Sequence, residues 1–247
     1  MRRARLMMPV VAGVLGIAAG VVTALVVPAD PDPGSRPAED PLRLGIPLVN
    51  LDCTDESVLV VARGDSAAPL VSAVANNPDL RLRYLRSVDS CQTLYAPANQ
   101  GQPEYVVYAG PYNGMPEPCE LRMGVDHKGD AVTKLTAGTE TFVKCLCVLP
   151  VAGFPDLTPG MEVDPANAIW VRSLQSMLVD LDLQREADGE PGPYFTRRSV
   201  TGVYDEPTQE RIEAYQSESV FDESEHGSVL HATWLALTDD ACRLYDF

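Results

Sequence analysis

The sequence predicts two small domains after a transmembrane helix, the first of the α+β class and the second all-α. Three observations lead to this prediction: an apolar run follows basic residues at the N-terminus, strand-like and helix-like segments alternate as far as residue 147, and a helical apolar periodicity begins at Ile169. The inferred boundaries are 1–28 for the membrane segment, 29–50 for a proline-rich linker, 51–147 for the α+β domain, 148–165 for a second linker and 166–247 for the all-α domain.

The N-terminal segment has the pattern of a signal anchor. Three arginines within the first five residues precede the uncharged, mostly apolar run 6–28, which is long enough to cross a bilayer core as a helix. The positive flank favours the cytoplasmic side, so we expect a single-pass protein of the cell membrane whose remaining chain is extracytoplasmic. Secretion after signal cleavage near Ala29 is the alternative.

Composition restricts the partners and the compartment. The formal net charge of −16, from 35 acidic and 19 basic residues, repels nucleic acid and excludes it as an expected partner. Only three of the basic residues are lysines, a bias typical of GC-rich coding, as in actinobacterial genomes. Six cysteines in an exported chain predict disulfide bonds, because an oxidising compartment stabilises them.

The first domain has the element order of a ferredoxin-like α+β fold. β-branched and alternating segments predict strands at 57–61, 80–88, 105–109 and 141–146. Helices are predicted at 67–76, which ends before an Asn-Pro pair, and at 116–125, which begins with a proline. The resulting order is strand, helix, strand, strand, helix, strand.

One stretch of this domain resembles a known family. The residues YVVYAGPY at 105–112, followed by a helix that contains Glu117 and Cys119, resemble the third strand and second helix of SPOR (sporulation-related repeat) domains, which bind the cell wall. Members of that family bind glycan strands without stem peptides on one face of the sheet, so the resemblance implies a glycan site near Tyr105, Tyr108 and Tyr112. Because Tyr105 and Tyr108 are three residues apart, they face opposite sides of a straight strand, and one of them belongs to the core.

The second domain begins with an amphipathic helix. Its core-facing residues recur at helical spacing: Val171, Leu174, Gln175, Leu178 and Leu181. Asp205 is positioned to cap a second helix with Pro207 in its first turn, and a turn at Gly227 leads into a third helical segment that reaches Leu237.

This succession resembles the type 1 peptidoglycan-binding domain, a small three-helix bundle. The matching positions form three blocks in order: Val171, Leu174, Gln175 and Leu178; Gly202, Tyr204, Asp205, Thr208, Ile212, Tyr215 and Gln216; Gly227, Val229, Thr233, Trp234 and Leu237. The loop 184–201 is longer than in the family, and His226 replaces a common Asp. The resemblance implies candidate peptidoglycan-binding residues: Tyr204, Asp205, Gln216, Arg197 and Arg198.

No catalytic pattern accompanies these modules. The three histidines are scattered, and nucleophile-elbow, zinc-protease, P-loop and dinucleotide motifs do not occur. We therefore expect a protein that is not an enzyme and that needs no cofactor or metal. Peptidoglycan or denuded glycan strands are the expected ligands, and the membrane is contacted through 6–28. The alternatives are an accessory or regulatory subunit of a wall-remodelling enzyme, or a secreted protein-interaction module without wall affinity.

The two proposed folds also predict the disulfide pairing. In the ferredoxin-like plan the first and last strands are neighbours, which favours a Cys53–Cys145 bond, and Cys91–Cys119 is then the second pair. The third pair is Cys147–Cys242, which closes the all-α domain. An exchange of Cys145 and Cys147 is the main competing arrangement.

Overall fold

The computed structural model describes residues 40–94, 105–124, 126, 128–137, 142–162, 164–192, 194–218 and 226–245. Every described residue belongs to one compact unit. The predicted membrane segment, 6–28, and the cleavage position near Ala29 lie outside the described residues. Among the helices that are described, none has the length and apolar character needed to span a membrane.

A four-stranded antiparallel sheet forms the first part of the described chain, which makes the fold α+β. Its strands are β1 (Ser57–Gly64), β2 (Leu82–Arg86), β3 (Tyr105–Tyr112) and β4 (Ala131–Lys134). Helix α1 (Ala67–Ala75) follows β1, and helix α2 (Pro116–Met123) follows β3. The strands lie side by side in the order β2, β3, β1, β4, and each neighbouring pair is antiparallel.

Both faces of the sheet are buried. Because side chains alternate along a strand, one face carries Leu59, Tyr84 and Val107 and packs against helices α1 and α2. The opposite face carries Val60 and Tyr108. Buried residues from outside the strands cover that second face: Leu51, Cys91, Leu94 and Leu135.

The last strand differs from the prediction. We expected it at 141–146, but β4 is Ala131–Lys134, which pairs with the first half of β1. Phe142 forms only an isolated bridge to Thr133, and Cys145–Cys147 form a 3-10 turn. The chain leaves the sheet here, and Cys145 is bonded to Cys119 on α2.

Residues 40–49, within the expected linker 29–50, line the outer edge of the sheet. Tyr84 of β2 donates its N–H to the Pro47 carbonyl at 3.0 Å and accepts from the Val49 N–H at 2.8 Å. The Tyr84 hydroxyl also donates to Asp40 at 2.5 Å. These bonds satisfy backbone groups that an edge strand would otherwise expose.

Three helices follow the sheet: α3 (Pro165–Ala187), α4 (Glu206–Glu218) and α5 (His231–Cys242). Segment 148–165, which was expected to be a linker, packs against them. Leu157 is fully buried and forms two backbone hydrogen bonds with Val229. One apolar cluster runs from the helix-facing side of the sheet into the three helices, so the two predicted domains share a core.

Two of the predicted disulfide bonds are wrong. The structure contains Cys53–Cys91 and Cys119–Cys145, not Cys53–Cys145 and Cys91–Cys119. Cys91 and Cys119 cannot meet because they belong to clusters on opposite faces of the sheet. Cys53 reaches Cys91 because its segment crosses the face opposite the helices, where the Cys91 N–H donates to the Leu51 carbonyl at 2.7 Å.

The third disulfide bond is the expected one. Cys147, at the end of the 3-10 turn, is bonded to Cys242 at the end of α5, across a separation of 95 residues. The cysteines of the C-x-C pair therefore have different partners, one on α2 and one on α5. This pairing fastens the last helix to the segment that leaves the sheet.

Candidate functional site

A buried glutamine organises the turn between α3 and α4. The Oε1 atom of Gln175 accepts hydrogen bonds from the N–H groups of Thr201 at 2.8 Å and Gly202 at 2.9 Å. Its Nε2 donates to the Val203 carbonyl and to Thr208 Oγ1, both at 2.9 Å. Because Gln175 is fully buried, the side chain ties α3 to the start of α4 without competition from water.

A second glutamine repeats this arrangement one helix later. The Oε1 of Gln216, on α4, accepts from the Gly227 N–H at 2.8 Å. Its Nε2 donates to the Ser228 carbonyl at 2.7 Å and to Thr233 Oγ1 at 2.9 Å. In both turns a glycine with positive φ precedes a threonine in the first turn of the next helix. The sequence blocks thus correspond to two equivalent glutamine-clamped turns.

Three of the residues expected to face the wall have structural roles. Tyr204 is only 6% exposed, its hydroxyl donates to the Gly227 carbonyl at 2.9 Å, and burial raises the pKa of its phenol. Gln216 is also buried and accepts from the N–H of the same Gly227. Tyr204 and Gln216 therefore hold the turn in place, contrary to the expectation that they contact a ligand. Asp205 caps α4 by accepting from the N–H and hydroxyl of Thr208.

The other two residues, Arg197 and Arg198, are exposed on a short 3-10 helix in the long loop between α3 and α4. A buried ion pair holds this loop. Asp182 accepts from Arg211 Nε at 3.0 Å and Nη2 at 2.7 Å, and it also accepts from the Phe195 N–H at 2.6 Å. Arg197 and Arg198 therefore remain predicted contacts, carried on an anchored loop.

The three tyrosines of the SPOR-like stretch do not form one surface. Tyr108 is fully buried and donates its hydroxyl to the Val49 carbonyl at 3.0 Å, so it belongs to the core and offers no face to a glycan. Tyr105 and Tyr112 are half-buried on the helix-facing side. The Tyr105 ring lies 6.1 Å from that of Tyr84. A glycan contact by Tyr105 or Tyr112 stays a prediction.

An open groove of about 490 Å³ lies between α2, segment 149–155 and the first turns of α3. Its aromatic wall is formed by Trp170 and Phe154, whose ring centroids are 5.1 Å apart. Phe154 also meets the buried Trp234 edge to face at 5.3 Å. The Trp234 indole N–H donates to the Pro155 carbonyl at 2.8 Å, which fixes the ring that supports this wall.

The groove combines this wall with a few polar groups. Glu120 lies exposed on α2, and Asn167 lies in the first turn of α3. The Asn167 Nδ2 donates to Glu162 and Asp164, which leaves its Oδ1 without a partner among the described residues and open to a ligand donor. The remaining lining is mostly apolar: Met123, Leu149, Pro150 and Pro155. This composition is usual for sites that bind small organic ligands.

Sequence reasoning did not find this groove, since none of the predicted site residues lines it. Trp170 lies four residues before Leu174, on the same side of α3, and packs against the core. Its spacing therefore resembles that of a core residue and gives no sign of a groove. Within the parts of the chain that are described, no cluster of histidine, cysteine, aspartate and glutamate side chains is suited to hold a metal ion.

The chain matches no protein-family model, and it has no significant match among curated proteins or solved structures.

Proposed function

We propose that this chain is a non-enzymatic, membrane-anchored extracytoplasmic protein that binds peptidoglycan of the bacterial cell wall. The observation that carries the proposal is the open groove with Trp170 and Phe154 on one side and polar groups at its rim. An exposed aromatic face suits the C–H surface of a sugar ring, and carboxylate and amide oxygens suit its hydroxyl and N-acetyl donors.

Two further features support the proposal. The blocks that resemble the type 1 peptidoglycan-binding domain contain both clamping glutamines, which gives these blocks a physical role in holding a three-helix arrangement. The three disulfide bonds agree with an oxidising, extracytoplasmic location. The anchor itself is proposed from segment 6–28 alone.

We also propose a ferredoxin-like plan and SPOR kinship for the α+β part. The strand order β2, β3, β1, β4, with both helices on one face, supports that plan. In SPOR domains a sheet face binds glycan, whereas here the face opposite the helices is covered by Leu51, Leu94 and Leu135. We therefore assign the glycan contact to the groove between α2 and α3.

Co-sedimentation of the full chain in detergent with purified peptidoglycan tests the function. We expect the chain to sediment with intact walls, and Trp170→Ala to lower the bound fraction because it removes one of the two rings of the aromatic wall. Glu120→Gln keeps the shape of the side chain and removes its charge, so it tests whether the carboxylate at the rim of the groove contributes to binding. Leu183→Ala is the matched control, since Leu183 is an exposed apolar residue on the same helix that does not line the groove.

A folded chain that stays in the supernatant would reject wall binding and favour the protein-interaction alternative. Release of soluble fragments from labelled walls would contradict the non-enzymatic assignment. If the chain sediments and Trp170→Ala behaves like Leu183→Ala, wall binding stands and the groove is the wrong site.

A further inference from the structure

A second cavity, of about 320 Å³, lies between α2, β4 and α3. Three cationic side chains line it, Arg122, Lys144 and Arg172, and Asp130 is its only lining carboxylate among the described residues. The full chain has a net charge of −16, so this local excess of positive charge is opposite in sign to the charge of the protein as a whole. Charge complementarity therefore favours an anionic ligand at this position.

The three cations differ in how they are engaged. Lys144 Nζ lies 2.7 Å from Asp180 Oδ2, which balances its charge. Arg122 Nε donates to the Asp130 carbonyl at 2.9 Å and is fixed by that bond. Arg172 is exposed and forms no hydrogen bond or close ion pair within the described part of the chain, although the Asp130 carboxylate attracts its guanidinium. Because that guanidinium is exposed, it is also accessible to the anionic group of a ligand.

Arg172 is nevertheless positioned by the fold. A Cβ atom on Gly202 would lie 2.7 Å from Arg172 Nε, so the arginine side chain passes directly over this glycine. The Gly202 φ of 80° also favours glycine, and its N–H is held by Gln175 at 2.9 Å. The clamped turn between α3 and α4 thus forms the base on which Arg172 lies.

The rest of the cavity is largely apolar, with Phe142, Val200 and Met177 among its lining residues. It also shares a wall with the aromatic groove. Met123 lines the groove, and its sulfur lies 3.7 Å from the hydroxyl of Ser173, which lines the cationic cavity.

We propose that this cavity binds the terminal carboxylate of a short aliphatic peptide, with Arg172 as the ionic contact and the apolar walls against its methyl groups. A free phosphate is less suited, because it has no apolar surface to place against Phe142 and Val200. The assignment rests on the proposed function and deepens it, since the stem peptides of peptidoglycan carry carboxylates beside alanine methyl groups. The chain would then prefer walls that retain their peptides over denuded glycan strands.

Equilibrium dialysis of the full chain in detergent micelles tests the site with N-acetyl-D-alanyl-D-alanine and its C-terminal amide. We expect the carboxylate form to bind and the amide to bind about tenfold more weakly. Arg172→Gln should weaken the carboxylate form about fivefold, as expected for a charge-assisted bond at an exposed position. Arg172→Lys should recover most of the affinity. Arg81→Gln makes the same charge change beside β2, at the other edge of the sheet, and should have no effect.

Equal binding of acid and amide, or an Arg172→Gln variant with unchanged affinity, would overturn the proposal. Displacement of the peptide by equimolar inorganic phosphate would replace it with a general anion site. A chain that sediments with intact walls and does not bind the dipeptide contradicts this inference alone. A chain that binds the dipeptide and does not sediment supports the carboxylate site and contradicts the proposed function.

Discussion

Replacing Gln175 with alanine removes the side chain that connects α3 to the start of α4. Its amide is fully buried and bonds the N–H groups of Thr201 and Gly202 on one side, and Val203 and Thr208 on the other. The substitution breaks both halves of this clamp at once. We expect the free energy of unfolding to fall substantially while the fold is kept.

The magnitude follows from the groups left behind. Gly202 is buried, so its N–H loses its only acceptor in the described structure and costs about 1–3 kcal/mol. The space vacated by the amide adds about 1 kcal/mol. Thr208 retains its hydrogen bond to Asp205 and adds little. The expected loss is therefore about 2–4 kcal/mol, against a total of about 5–15 kcal/mol for a typical domain.

Urea unfolding of the full chain in detergent, followed by circular dichroism with the disulfide bonds intact, measures this loss. Gln184→Ala is the matched control, because Gln184 lies on the same helix, is exposed and bonds only Asp188. We expect this control to change stability by about 0.5 kcal/mol or less. Hydrogen exchange should be accelerated at the Gly202 amide in Gln175→Ala and unchanged there in the control.

The isosteric variant Gln175→Glu separates the two halves of the clamp. Glutamate retains oxygens that accept from Gly202, but it loses the donors to Val203 and Thr208 and buries a charge, so it should destabilise at least as much as alanine. A loss below about 1 kcal/mol for Gln175→Ala, with an unchanged m-value, would refute the view that the glutamine is a structural clamp.

Two further predictions concern the ends of the described chain. The double variant Cys147→Ser and Cys242→Ser opens a loop with a separation of 95 residues and should lower the free energy of unfolding by about 2–4 kcal/mol, and an unchanged urea midpoint would contradict this. Burial tends to raise the pKa of Asp40, but its hydrogen bonds with Tyr84 and nearby backbone amides outweigh burial and lower the pKa below its ordinary value of 3.8. The stabilisation from Asp40 is thus complete above that value and is lost as the pH falls through the lowered folded-state pKa. The protection factor of the Tyr84 amide against hydrogen exchange should fall over that acid range, and Asp40→Asn should abolish this pH dependence of the protection factor.

Local patterns predicted the elements whose signal lies within a few residues. The apolar stripe from Val171 to Leu178 follows the helical period, and α3 contains it. Asp205 precedes a proline at a helix start, and it does cap α4. The alternation within β3 likewise separated Tyr105 from Tyr108, which lie on opposite faces of the sheet.

The candidate site was less accessible to such reasoning. Gln216 and Tyr204 appear in the sequence as polar residues beside turns, and the same pattern serves a ligand contact or an internal clamp. Their burial follows from the approach of the Gly227 turn, which brings its carbonyl and N–H to these two side chains. Trp170 acquires its groove only because α2 and segment 149–155 pack beside it.

The sequence by itself determined the α+β class, the main helices and strands, the acidic charge and the presence of disulfide bonds. These depend on composition and on periodicity over a few turns, which the chain carries locally. Tertiary structure alone decided that Cys91 pairs with Cys53, and it excluded Cys119 as a partner because that residue lies on the other face of the sheet. Tertiary structure also decided that the sheet face carrying Tyr108 is covered and that the aromatic groove lies beside the cationic cavity. Both features arise from contacts between segments that are far apart in the chain.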